Sequence, residues 1–103
     1  MNTPTESSDP LPAITDLVVE ALRVPPARVS RSARLFADLG AESIDMLDIR
    51  FRMEQAFGLK IEHDAIRRSL GETLSVDQVR EHLTVGALVD YVKRRRQEAA
   101  PAA

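Results

Sequence analysis

Apolar residues recur along this chain at helical spacing, and nowhere do they alternate with polar residues over any length. A helix face needs apolar side chains every three or four positions, whereas a half-buried strand needs a period of two. No sheet is expected. The fold class that follows is all-α: a bundle of three main helices, with one or two short helices between the second and the last. With 103 residues the chain is sized for one domain. Three Phe, one Tyr and no Trp leave the core to Leu, Ile, Val, Met and Ala. So small a domain keeps roughly a third of its unfolded-chain surface exposed, which leaves little room for a deep catalytic pocket.

Ile14, Leu17, Val18, Ala21 and Leu22 mark a first helix over residues 11–23, with Asp9, Pro10 and Pro12 as start signals. Pro25 and Pro26 break it and open a loop from which Val24, Val29 and Leu35 can tuck onto the core. Residues 36–40 read as a short turn, with Gly40 giving backbone freedom just before a second helix over 43–57, which Gly58 ends. That helix carries two apolar faces: Met46, Ile49, Met53, Ala56 and Phe57 on one, Ile44, Leu47 and Phe51 on another. Either both are core, or one packs inward and the other meets a partner; the pattern leaves this open. An extended link at 59–61 leads to a short helix over 64–70, stopped by Gly71. Ser75 and Gln78 form a capping box for another helix running to Leu83, and Thr84 caps the last helix, with Val85, Leu88, Val89 and Val92 on its buried face. The domain is expected over 11–96, with an extended helical insert at 62–83 and flexible tails at 1–10 and 97–103.

Composition removes several kinds of chemistry. The chain has no cysteine, so disulfides, thiolate metal sites and Cys nucleophiles are excluded, and any thioester chemistry needs a borrowed sulfur. No apolar run approaches the roughly 20 residues that span a bilayer, and the N-terminus lacks the basic and apolar regions of a signal peptide. A cytoplasmic protein with no membrane insertion is expected. His63 and His82 stand among charged residues as solvated imidazoles, and no ligand spacing for a metal is present. The basic run Lys93, Arg94, Arg95 and Arg96 reads as a solvated helix end that complements the helix dipole. With no aromatic platform beside it, nucleic-acid binding is not expected.

Against a net charge of −2, residues 35–49 hold four acids (Asp38, Glu42, Asp45, Asp48) and no base. In their midst, at the mouth of the second helix, stands Ser43. A nucleophilic serine needs a base and a group to orient that base, and neither is evident nearby, nor is a glycine-flanked elbow. Ser43 is either an ordinary helix cap or a handle to which something is attached. Gly40 and Ala41 leave steric room beside it, and a helix N-terminus favours a phosphate ester. Spacing alone leaves both readings open.

The stretch LFADLGAESID resembles the acyl carrier protein signature, usually Leu-Phe/Val-x-Asp-Leu-Gly-Ala-Asp-Ser-Leu-Asp. FGLKI resembles the end of that family's second helix and TVGALVDYV its last. The likeness runs from about Leu11 to Val92 and is most specific over residues 35–61; Glu42 and Ile44 stand where Asp and Leu are usual. The resemblance implies an acyl-carrier-like bundle that is not an enzyme. It implies that Ser43 receives 4′-phosphopantetheine from coenzyme A through a phosphopantetheinyl transferase, and that the arm's thiol carries acyl groups as thioesters. Asp38, Glu42, Ile44, Asp45, Met46, Leu47 and Asp48 would form the surface read by the transferase and by acyl-chain synthases and acyltransferases. The acyl chain is expected between helices against Leu47, Phe51, Ile66 and Leu70, on a monomer. The 22 residues from 62 to 83 are about double the usual length there, and with MLDIRFRMEQAFGLKI they resemble specialised bacterial carriers of very-long-chain acyl groups for lipid A. The rivals are a polyketide or aminoacyl carrier, against which Gly40-Ala41-Glu42-Ser43-Ile44 argues, and an unmodified carrier-like interaction module.

Overall fold

The computed structural model describes residues 9–62, 64–71 and 73–99. Among the described residues five α-helices follow in order: α1 (Leu11–Leu22), α2 (Ser43–Phe57), α3 (Ala65–Leu70), α4 (Val76–His82) and α5 (Val85–Ala99), with one 3-10 turn at Pro26–Arg28. No strand forms among the described residues; the one extended pairing is an isolated antiparallel bridge between Arg34 and Thr84. The architecture is the all-helical bundle that the apolar spacing predicts.

Local chemistry sets the helix ends. The Asp9 carboxylate accepts from the Leu11 N–H at 3.0 Å, and α1 closes on Arg23 in the left-handed region at φ 58°. Gly58 closes α2 at φ 65°, its N–H donating to the Glu54 carbonyl. The chain is then clipped back onto α2, because the Ile61 N–H donates to Glu54 Oε2 at 2.8 Å and Arg50 donates to the Ile61 carbonyl at 3.1 Å. Ser75 and Gln78 make the capping box that starts α4, and the Thr84 hydroxyl accepts from Ala87 N–H at the start of α5. α5 runs to Ala99, three residues past the expected domain edge at Arg96, because nothing in Arg-Arg-Arg-Gln-Glu-Ala breaks a helix. The expectations for residues 1–8, 63, 72 and 100–103 lie outside the described residues.

α1 packs against both α2 and α5, and α3 rests on α5. Their shared core is aliphatic: Ile14 and Val18 from α1, Ile49 and Met53 from α2, and Val85, Leu88, Val89 and Val92 from α5 are all fully buried. Leu35, Ile61 and Leu83 close it from the connecting segments. On α2 the two faces separate. Ile49 and Met53 are sealed, whereas Ile44, Leu47 and Phe51 are 70%, 53% and 58% exposed. α4 buries no residue of its own. The basic end of α5 is not uniformly solvated: Arg95 donates to the Tyr91 hydroxyl at 2.6 Å, and Arg96 lies over the Phe57 ring. Among the described residues, no helix is long and apolar enough to cross a membrane.

Gly86 shows how tightly α5 meets the crossover loop. Its N–H donates to the Arg31 carbonyl at 2.8 Å, and a Cβ added there would stand 3.0 Å from that same oxygen. Alanine in a helix is worth about 1 kcal/mol over glycine. Here the neighbour is backbone and cannot swing aside, so overpacking of about 1–3 kcal/mol wins. Gly86→Ala is expected to lower the urea midpoint rather than raise it.

Candidate functional site around Ser43

The loop before α2 is built by hydrogen bonds that converge on Asp38. Its carboxylate accepts from the Arg34 N–H at 2.8 Å and from the Arg34 guanidinium at 3.1 and 3.2 Å, while its carbonyl accepts from Arg28 at 2.8 Å. The bonds from the Arg34 side chain, and then from its backbone, hold the Asp38 carboxyl below the usual carboxylate range and raise Arg34 in return. A lowered folded pKa stabilises the fold above the carboxyl's unfolded value of about 3.9, and that contribution is lost as pH falls through the folded value. Asp38→Asn is therefore expected to lower the urea midpoint at neutral pH, with the difference from wild type vanishing as pH falls through the lowered folded value. The pair is solvent-exposed, so the effect is small.

Gly40 follows at φ 76°, where a non-glycine residue is strained, and turns the chain so that the Ala41 N–H reaches the Leu35 carbonyl at 2.9 Å. Glu42 is then the N-cap of α2, with Asp45 reaching back to accept from its N–H at 2.8 Å. Ser43 is thus the first helical residue, and the cap is its neighbour. Its side chain is exposed, and among the described residues its hydroxyl has one hydrogen-bond partner, Arg80 Nη2 at 3.4 Å. That bond is at the long, weak end of the range. No described histidine or carboxylate hydrogen-bonds to the hydroxyl.

Ser43 also forms part of the wall of a mainly apolar cavity of about 210 Å³ between α2, α3 and the end of α4. Phe36, Met46, Leu47, Ile66, Val79 and Leu83 supply its apolar surface, and Arg50, Glu62, Asp64 and Arg67 stand at its polar margin. Of the four side chains expected to line an acyl site, Leu47 and Ile66 are on this wall. Phe51 and Leu70 are not. Phe51 is turned about α2 into a separate shallow groove against Ala13 and Leu17 of α1, and Leu70 packs partly buried against the core. Phe36, Met46, Val79 and Leu83 were not expected there. Val76, Val79 and Leu83 do share a helical spacing, but which cavity they face depends on long-range pairing: the Leu35 N–H donates to the Leu83 carbonyl at 2.9 Å, and the Val85 N–H to that of Ala33 at 2.9 Å.

The residues expected to meet partners are not equally available. Ile44 and Leu47 are open, and Met46 is half-buried over the cavity. Asp45 is engaged by the helix cap, Asp48 by Arg52 at 3.0 Å, and Asp38 by Arg34.

Comparison with known proteins agrees with this geometry. A family described as "Phosphopantetheine attachment site" matches residues 12–66, more than half of the chain. The acyl carrier protein of Amoebophilus asiaticus is 33% identical over 86 residues, covering 82% of this chain and 90% of the relative. That of Porphyromonas gingivalis is 32% identical over 81 residues, covering 79% and 87%, and that of Zymomonas mobilis is 33% identical over 75 residues, covering 73% and 96%. A serine free of the helix cap, an apolar cavity beside it and these likenesses lead to one conclusion: the chain belongs to the acyl carrier protein family, a carrier rather than an enzyme, with 4′-phosphopantetheine as its prosthetic group.

Proposed function

We propose that Ser43 is the residue that bears the phosphopantetheine arm, and that the acyl chain shelters in the cavity beside it. One observation carries this reading: Ser43 is exposed in the first turn of α2, is not spent on capping it, and lies on the wall of an apolar cavity. The donor set fits the group. A hydroxyl is available for the ester, the start of a fifteen-residue helix favours a phosphate, and a guanidinium stands 3.4 Å away. The bound arm supplies the thiol that a chain without cysteine lacks. The protein's own part is to present the hydroxyl on a rigid helix and to keep water from the cargo.

Leu47 and Ile66, with Phe36, Met46, Val79 and Leu83, are the surfaces for that cargo. Each methylene moved out of water stabilises the sheltered state by about 0.8 kcal/mol. A cavity of about 210 Å³ exceeds the roughly 150 Å³ that admits a benzene. It takes a short run of methylenes, and a longer chain must widen it or continue past it. α4 and its exit contribute Val79 and Leu83 to the wall, so the extra length at residues 62–83 bears directly on cargo. On that ground, and from the sequence of α2, we read the protein as a specialised carrier of very-long-chain acyl groups for lipid A synthesis, acting as a cytoplasmic monomer. Ile44, Leu47 and the acids Glu42, Asp45 and Asp48 are the surface offered to the transferase, the synthase and the acyltransferase.

The test is intact-mass and peptide analysis of the protein purified from its own host. The expected result is one phosphopantetheine on the Ser43 peptide bearing a very long acyl chain. An unmodified Ser43 would overturn the attachment, and an aminoacyl, polyketide or ordinary-length acyl cargo would overturn the specialised role alone.

A further inference from the structure

Among the described residues one cation, Arg80, hydrogen-bonds to Ser43, and it comes from the segment that lengthens this chain. Arg80 sits on α4 and reaches the start of α2 because the Leu35–Leu83 backbone bond docks the end of α4 beside the loop that precedes Ser43. Its guanidinium lies over the Phe36 ring, 5.5 Å from the centroid, with Nη2 3.4 Å from Ser43 Oγ. Neighbouring arginines are used differently. Arg34 pairs with Asp38, Arg52 with Asp48 and Glu20, and Arg67 with Asp64, while Arg50 donates to the Ile61 carbonyl. Among the described residues Arg80 forms no ion pair, and the nearby acids Asp38, Asp45 and Asp48 are already engaged. A long bond to a neutral hydroxyl is a weak partner for a guanidinium and leaves its charge uncompensated. The ring beneath it orients the planar group, and what stands in front of it is the oxygen that would carry a phosphate.

We infer that Arg80 is the receptor for the phosphate diester at Ser43, so that modification adds an ion pair between α2 and α4 and pins α4 over the cavity. This rests on Ser43 being the attachment residue. Arginine presents a fork of donors that matches a phosphate, and a phosphorus bonded to Oγ brings anionic oxygens into its neighbourhood. The consequence falls on α4, which has seven residues and none of them buried. A helix that short has little stability of its own and depends on its ends and contacts. Val79 on α4 lines the cavity, so pinning the helix steadies one wall of the cargo site. The unmodified chain keeps that wall loose, and the modified chain tightens it.

The experiment compares amide hydrogen exchange over residues 76–82 in the full chain before and after loading with coenzyme A and a transferase. Wild type, Arg80→Gln and Arg80→Lys are used, with intact mass scoring loading in every sample. Loaded wild type is expected to exchange about two- to five-fold more slowly than unloaded in this helix. Arg80→Gln should gain the arm and lose the protection; Arg80→Lys, a point charge without the fork, should keep part of it. The phosphorus resonance of the diester should differ between wild type and Arg80→Gln, and the protection should shrink in 1 M salt, where screening acts over about 3 Å. Equal exchange in loaded and unloaded wild type, protection unchanged in Arg80→Gln, or protection that survives 1 M salt would each overturn the role of Arg80. A wild-type chain that gains no mass overturns the attachment reading and this inference with it.

Discussion

Ser43→Ala is expected to abolish the mass gain that the wild-type chain should show on incubation with coenzyme A and a phosphopantetheinyl transferase, while leaving the fold unchanged. Both halves follow from the position of one residue. Glu42 caps α2 and Asp45 closes back onto it, so the Ser43 hydroxyl holds no end of the helix. Its one described partner is the long bond from Arg80. Removing an exposed hydroxyl shifts stability by no more than about 0.5 kcal/mol, and alanine is the better helix former. Without that oxygen there is no ester to make. Persistence of the mass gain in Ser43→Ala would move the attachment to another hydroxyl. A loss of circular-dichroism signal or a large fall in the urea midpoint would show that the serine is structural after all.

Ile49→Ala, six residues further along the same helix, has the opposite profile. Ile49 is fully buried, in the mainly aliphatic core to which α1, α2 and α5 all contribute. Truncation to alanine costs about 2–5 kcal/mol, a sizeable share of the roughly 5–15 kcal/mol that keeps a small domain folded. Urea denaturation should show a fall of that size. Ile44→Ala is the control: the same chemical change on a side chain 70% exposed is expected within about 0.5 kcal/mol. Similar costs at the two positions would mean that both faces of α2 are core. Together the pair resolves the two readings of α2 that apolar spacing alone could not separate.

What could be read in the residues, and what could not, divides by the range of the interaction. The bounds of α2, the capping box of Ser75 with Gln78, the role of Thr84 and the turn at Gly40 depend on neighbours a few positions away, and the structure has them where the spacing puts them. The helical class follows from periodicity in the same way. The cavity does not. Phe51 shares an apolar patch with Leu47 on a helical wheel, yet the four-residue step turns it far enough round to meet α1 instead of α3. Val79, Leu83 and Arg80 arrive beside Ser43 only through the pairing of Leu35 with Leu83, 48 positions apart, which leaves no local trace. Charge misleads for a similar reason. Four acids in a row of fifteen residues look like an open ridge, but Arg34 and Arg52 each take one and the helix cap takes a third.

The two backbone bonds that tie Ala33 and Leu35 to Val85 and Leu83 work as a buckle at the base of a loop. Everything from α2 through α4 is strung between its two halves, like a strap. A change in the strap is therefore expected to register in the wall that Val79 and Leu83 supply and in the reach of Arg80, while the turn that leads into Ser43 stays tied to Leu35.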